Sequence, residues 1–120
     1  MAVDGFPANN LHHFWDIEFV ERLGADPAET AARLTLRISE EQRRAWSDGT
    51  AADWAMESFA LARDRVYGML PTAGSDGMYA LPRAYVDSAT RDVAEQLSKA
   101  GTRLAFLLNR MPATARGAEH

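Results

Sequence analysis

From Leu81 to Arg110 the chain reads as one uninterrupted amphipathic helix. Tyr85, Ala89, Val93, Leu97, Ala100, Leu104 and Leu108 recur every three or four residues, the spacing that lines apolar side chains along one helical face. Leu81-Pro82 opens the run and Met111-Pro112 closes it, because proline fits the start of a helix and not its interior. At ~1.5 Å per residue the helix is ~44 Å long. A stripe of that length predicts one buried side, so the helix is either the spine of a bundle or an arm leaning on a larger body. Ala100-Gly101 leaves a notch of small residues where a second helix could come close.

The remaining punctuation is also helical. Asn9 or Asn10 is a suitable N-cap for a helix running to about Leu23, with Gly24 as its stop. Asp26-Pro27-Ala28-Glu29 starts the next, to about Ile38, with Ala31, Leu34 and Ile38 facing inward. Ser39-Glu40-Glu41-Gln42 is a capping box opening a short helix to about Trp46, and Ser47-Asp48-Gly49 is a turn. Thr50 to Asp53 is another such box. Its helix carries Trp54, Ser58, Leu61, Ala62, Arg65 and Met69 on one stripe. Gly68 to Gly77 has loop composition. Gly5 and Pro7 break the lead-in, where Ala2-Val3 could end an extended segment, and residues 112–120 read as a flexible tail. No strand alternation is present. The expected fold is all-α: one domain, residues 1–111, built as a bundle of about four to five helices.

Composition narrows the chemistry. The chain has no cysteine, so disulfides and thiolate metal sites are excluded. Its three histidines, His12, His13 and His120, are too few for a multinuclear zinc centre built from this chain alone. A net charge of −4 argues against a broad basic grip on nucleic acid, although bound cations can reverse a local field. No run approaches the roughly 18 to 20 apolar residues of a membrane span. Met1 to Gly5 lacks the basic and apolar regions of a secretory signal, and the compartment is left open.

Two of the histidines sit in Asn10-Leu11-His12-His13-Phe14-Trp15-Asp16. On a helix, His12 and Asp16 leave the same face about one turn apart. Imidazole nitrogen and carboxylate oxygen at that spacing suit a divalent cation such as zinc. They equally suit a hydrogen-bonded surface pair, and the spacing leaves both readings open. His13 lies roughly 100° further round the helix and is not expected to join the same ion.

Three blocks together carry a resemblance. They are Asn10-Leu11-His12 with Trp15-Asp16; Trp54-Ala55-Met56-Glu57-Ser58 with Leu61-Ala62 and Val66-Tyr67; and Ala100-Gly101, Arg103-Leu104-Ala105 with Leu108-Asn109. In this order and spacing the chain, from about Val3 to Asn109, resembles the C-terminal part of the zinc-dependent single-strand-specific nucleases. These are the fungal nucleases and plant bifunctional nucleases, with bacterial relatives, and they share a helical fold with zinc-dependent phospholipase C.

The resemblance implies a zinc-dependent phosphodiesterase acting on single-stranded DNA or RNA, with a possible 3′-nucleotidase activity. It implies three zinc ions in an all-α cleft, with His12 and Asp16 as ligands of one. The phospholipase branch tends to carry Glu where Asp16 stands, which favours the nuclease branch. Members of the family are secreted or periplasmic. Their N-terminal half supplies most other ligands, so the expectation is that this chain is a truncated, split or degenerate relative, inactive alone. The alternative is a non-catalytic helical packing or self-association module. Trp54, Leu61, Leu104 and Leu108 are expected in the core, Glu57-Ser58 in a mid-helix hydrogen bond, Asp53 at a helix start and Asn109 at a cap.

Overall fold

The computed structural model describes residues 6–7, 11–72, 74 and 78–111. The fold is all-α; the described residues form five helices and one two-residue antiparallel ladder. Helix α1 covers residues 11–21: α-helical at Leu11–His13, π-helical at Phe14–Glu18 and α-helical again at Phe19–Glu21. Helices α2 (Pro27–Leu36) and α3 (Glu40–Ser47) follow. Helix α4 (Ala51–Leu61) continues as a π-helix through Ala62–Tyr67. Helix α5 is Arg83–Arg110. Strand β1 (Phe6–Pro7) pairs antiparallel with β2 (Met78–Tyr79), Phe6 opposite Tyr79. Two residues a side are too few to show alternation, so nothing in the sequence announced this ladder.

The starts of α2, α3 and α4 each have a local cause. The Asp26 carboxylate accepts the Ala28 N–H at 2.9 Å, with Pro27 at the first helical position. Ser39 and Gln42 form a reciprocal capping box, and so do Thr50 and Asp53. These side chains satisfy backbone N–H groups that have no partner inside the helix. Between α3 and α4, Gly49 takes φ +94°, a conformation nearly closed to residues with a Cβ. At the end of α1, a Cβ on Gly24 would stand 2.6 Å from both Arg33 Nη2 and Thr30 Oγ1. Glycine there lets the Arg33 guanidinium donate to the Leu23 carbonyl and tie α1 to α2.

The core gathers Leu11 and Phe19 of α1, then Leu81, then Tyr85, Val86, Ala89 and Val93 of α5. Phe14, Trp15, Val20, Leu23, Val66 and Leu70 pack against it. Full burial of side chains such as Phe19, Leu81 and Val86 contributes about 1.5–3 kcal/mol each.

The core ends halfway along α5, where three expectations are corrected. Leu97 is 43% exposed, Leu104 58% and Leu108 41%, so the apolar stripe is only partly covered over its second half. The buried cluster on α1 reaches along α5 as far as Val93, and beyond it α3 and α4 meet α5 through the polar side chains of Lys99 and Arg103. The Ala100-Gly101 notch holds no helix: a Cβ on Gly101 would meet nothing within 4 Å. Asn109 lies inside α5, and the flanking residue is Met111. Helix α2 ends at Leu36, two residues short of the expected Ile38. The N-cap expected at Asn9 or Asn10, Ala2-Val3, most of the Gly68–Gly77 loop tip and the tail 112–120 lie outside the described residues.

Candidate metal centre

Helix α1 departs from α geometry at the histidine segment. Between Phe14 and Glu18 the backbone bonds run i to i+5, ending with the Phe19 N–H donating to the Phe14 carbonyl. Such a stretch is a one-turn widening that costs regular hydrogen bonding and recurs at functional sites. Here aromatic packing offsets the cost. Trp15 meets Phe19 edge-on with centroids 5.3 Å apart and Tyr85 edge-on at 6.2 Å. Phe14 and Phe19, five residues apart, also meet at 6.0 Å.

Two exposed imidazole–carboxylate pairs lie on this segment, and the widened turn accounts for the second. His12 Nε2 lies 2.6 Å from Asp16 Oδ2, with side chains 86% and 60% exposed. His13 Nε2 lies 3.3 Å from Glu18 Oε1. The sequence-predicted pair is therefore together and open to solvent, not sealed in aliphatic packing. The second pair is the one that sequence reasoning missed. A spacing of five faces the same way only on a π-turn. The repeat of that spacing in His13…Glu18 and Phe14…Phe19 was the available signal.

The donors at the first pair suit a metal. Imidazole nitrogen and carboxylate oxygen both bind zinc at ~2.0–2.2 Å, so two such donors on a tetrahedral ion stand roughly 3.3 Å apart. A hydrogen-bonded pair at 2.6 Å must open by about 0.7 Å to accept the ion, a side-chain adjustment open to exposed groups. The pair supplies two donors of the four such an ion takes. Among the described residues no group of three or more His, Asp or Glu is placed to hold a metal.

Behind the exposed pairs the support is hydrogen-bonded. Trp15 Nε1 donates to the Tyr85 hydroxyl at 3.1 Å, and that hydroxyl donates to the Val66 carbonyl at 2.6 Å. Burial, the largest influence on it, pushes the Tyr85 phenol above its ordinary value. Close by, Arg65 donates to Asp92 Oδ2 and Ser88 Oγ, both at 2.6 Å, holding the end of α4 on α5.

A separate polar cluster sits further along α5. Arg103 donates to both Glu57 oxygens, at 2.8 and 3.2 Å, and through Nε to the Trp46 carbonyl at 2.9 Å. Lys99 adds a bond to Glu57 at 3.2 Å, and the Arg103 guanidinium lies 5.1 Å above the Trp54 ring. The Arg103 hydrogen bonds, then Lys99, pull the Glu57 carboxyl from its ordinary 4.5 to about 2. Glu57 thus ties α4 to α5 by ion pairing, and Arg103 carries the link on to α3 through the Trp46 carbonyl. Asp53 is at its helix start as expected. No helix among the described residues is long and apolar enough to cross a membrane.

A family model described as S1/P1 Nuclease matches residues 3–113. Neither the curated proteins nor the solved structures give a match.

Proposed function

Because the chain belongs to the S1/P1 nuclease family, we propose that it supplies one edge of a zinc centre that hydrolyses phosphodiester bonds in single-stranded DNA or RNA. His12 and Asp16 are the zinc ligands in this reading. One observation carries it: an imidazole nitrogen and a carboxylate oxygen stand 2.6 Å apart, solvent-facing, on the segment covered by the family match. His12 would contribute its imidazole Nε2 and Asp16 a carboxylate oxygen. Bound zinc supplies Lewis-acid stabilisation of charge on phosphate oxygens and activation of water, so no protein general base is required. Phe14 and Trp15 stiffen the turn from behind.

Single strands are favoured because their phosphates and base faces are accessible to a site of this kind. Products are 5′-phosphorylated, and 3′-nucleotidase action on the same centre is compatible. Among the described residues no group of three or more His, Asp or Glu is placed to hold a metal, so in this reading the pair is one part of a centre whose remaining ligands another polypeptide segment would supply.

The test is calorimetric titration of the full chain with zinc, beside His12→Ala and Asp16→Asn. Weak binding of one ion is expected, falling about tenfold or more in either variant, since loss of even a supporting group costs about 10–100-fold. Equal binding by all three proteins would remove the assignment. With zinc present, the chain alone should leave single-stranded DNA uncut. Turnover of about 1 s⁻¹ or faster, within the range of ordinary enzymes, would overturn the shared centre.

A second reading rests on the bare second half of α5. Exposed Leu97, Leu104, Leu107 and Leu108 suit a helical module that packs against another chain or itself. Sedimentation of the native chain and Leu104→Lys decides it. An oligomer that the lysine dissolves supports this reading, and a monomer in both cases ends it.

A further inference from the structure

Between α2 and the second half of α5 lies a cavity of about 730 Å³, bordered also by the end of α1 and by Arg43 of α3. Sites for small molecules fall in the range of about 300–1,000 Å³ and are mostly apolar with a few placed polar groups. Val20, Leu34, Ile38, Leu97, Gly101 and Ala105 give this one its apolar wall. Neither His12 nor Asp16 lines it, so zinc and a ligand here are read separately.

Four hydroxyl side chains line the cavity: Thr30, Thr35, Ser98 and Thr102. Thr35 and Ser98 donate to carbonyls one turn back at 2.7 and 2.8 Å, and Thr30 Oγ1 accepts from Arg33 at 3.4 Å. Thr102 is only 9% exposed, and its Oγ1 has no partner among the described residues. A buried hydroxyl left in this state carries the full cost of its lost hydration. Threonine has two χ1 wells on a helix, so this hydroxyl can turn towards an acceptor in the cavity.

The charges on the wall are Arg43 and Glu21. Arg43 also lines a neighbouring hollow with Phe106, one turn beyond Thr102, so it stands towards the Thr102 end. Its pair with Glu40, at 3.4 Å, is solvent-exposed and weak, and a guanidinium has five donors to share. Val20 packs on the core that ends at Val93, so Val20 and the adjacent Glu21 stand towards the Leu97 end. From Leu97 to Ala105 the α5 wall runs ~12 Å, and an extended chain advances ~1.2 Å per bond. We propose that this cavity binds a small amphipathic carboxylate: an apolar chain of about ten carbons, with its head between Arg43 and Thr102. The head accepts from the guanidinium and the hydroxyl, a charge-assisted arrangement. Glu21 repels the reversed orientation.

The experiment titrates the full chain with decanoate, below its micelle concentration, by calorimetry and amide NMR. Decanol and decyltrimethylammonium are run beside it. Decanoate should shift amides of α2 and of residues 97–105, and bind about tenfold more tightly than decanol, the worth of a hydrogen bond to a charged group. Arg43→Gln should lose that margin, and Thr102→Val should weaken decanoate about fivefold. Gly101→Leu should abolish binding: a Cβ there meets nothing within 4 Å, so the leucine starts without a clash and occupies the space. Should that variant fail to fold, Ala105→Leu blocks the same wall.

Affinity unchanged in any of these variants would overturn the proposal, as would equal binding of decyltrimethylammonium or no shifts in α2 and α5. Amides of this cavity that move with protein concentration alone would show a second copy seated there, which also overturns it.

Discussion

The first half of α5 and its second half carry the same apolar spacing and meet different surroundings. Around Tyr85, Val86, Ala89 and Val93 the stripe is sealed by Phe19, Leu11 and Leu81, and its one polar group, the Tyr85 hydroxyl, is satisfied on both sides. Around Leu104 the leucines face solvent. The attachment there is polar: Glu57, Lys99 and Arg103 bridge three helices. The comparison teaches that periodicity reports which face is able to bury, while burial itself needs a partner surface. The second half also carries an unmet demand, since Thr102 Oγ1 is buried with no hydrogen-bond partner among the described residues.

The sharpest way to break this comparison is to truncate a large side chain in each half. Phe19→Ala should cost about 3–5 kcal/mol in denaturant unfolding, as expected for a fully buried aromatic. Leu104→Ala should stay within about 0.5 kcal/mol, as exposed substitutions do. Similar losses in the two variants would mean that the second half is covered in solution.

A smaller effect probes the polar attachment. Glu57→Gln should destabilise by about 1–2 kcal/mol, well below the cost of breaking a fully buried pair, because Glu57 is a third exposed and water screens it. The same group sets an acid limb. Its folded value, about 2, lies below its ordinary 4.5, so its contribution is complete above about 4.5 and lost as pH falls towards 2. Thermal melts of the native chain should decline through that window, and Glu57→Gln should flatten the decline. An unchanged acid limb in the variant would detach Glu57 from it.

The smallest effect is a gain. Thr102→Val keeps the shape and removes the unpartnered hydroxyl, so it should stabilise by up to about 1 kcal/mol in the same unfolding measurement. A loss of stability would show that the hydroxyl has a partner in solution and that the second half is better satisfied than its geometry implies.

Much of the candidate site was legible because its spacing is local. His12 and Asp16 are one turn apart on any helix, and the structure sets them at 2.6 Å. The His13–Glu18 pair was not legible, because a spacing of five points nowhere useful until the turn widens. That widening is supported by Trp15 against Tyr85, seventy positions away. Asn109 misled for a related reason: its caplike chemistry is generic, and α5 simply continues one residue beyond it to Arg110.

What the sequence determined by itself was the helical class of the fold and where α2, α3 and α4 start. Asp26, Ser39 and Thr50 each answer an unpaired backbone N–H within three residues, and no distant group is needed to do so. The tertiary structure alone decided how far the apolar stripe of α5 is covered, and which histidine meets which acid. Both depend on surfaces brought together from far along the chain, and a residue pattern confined to one helix carries no record of what will stand opposite it.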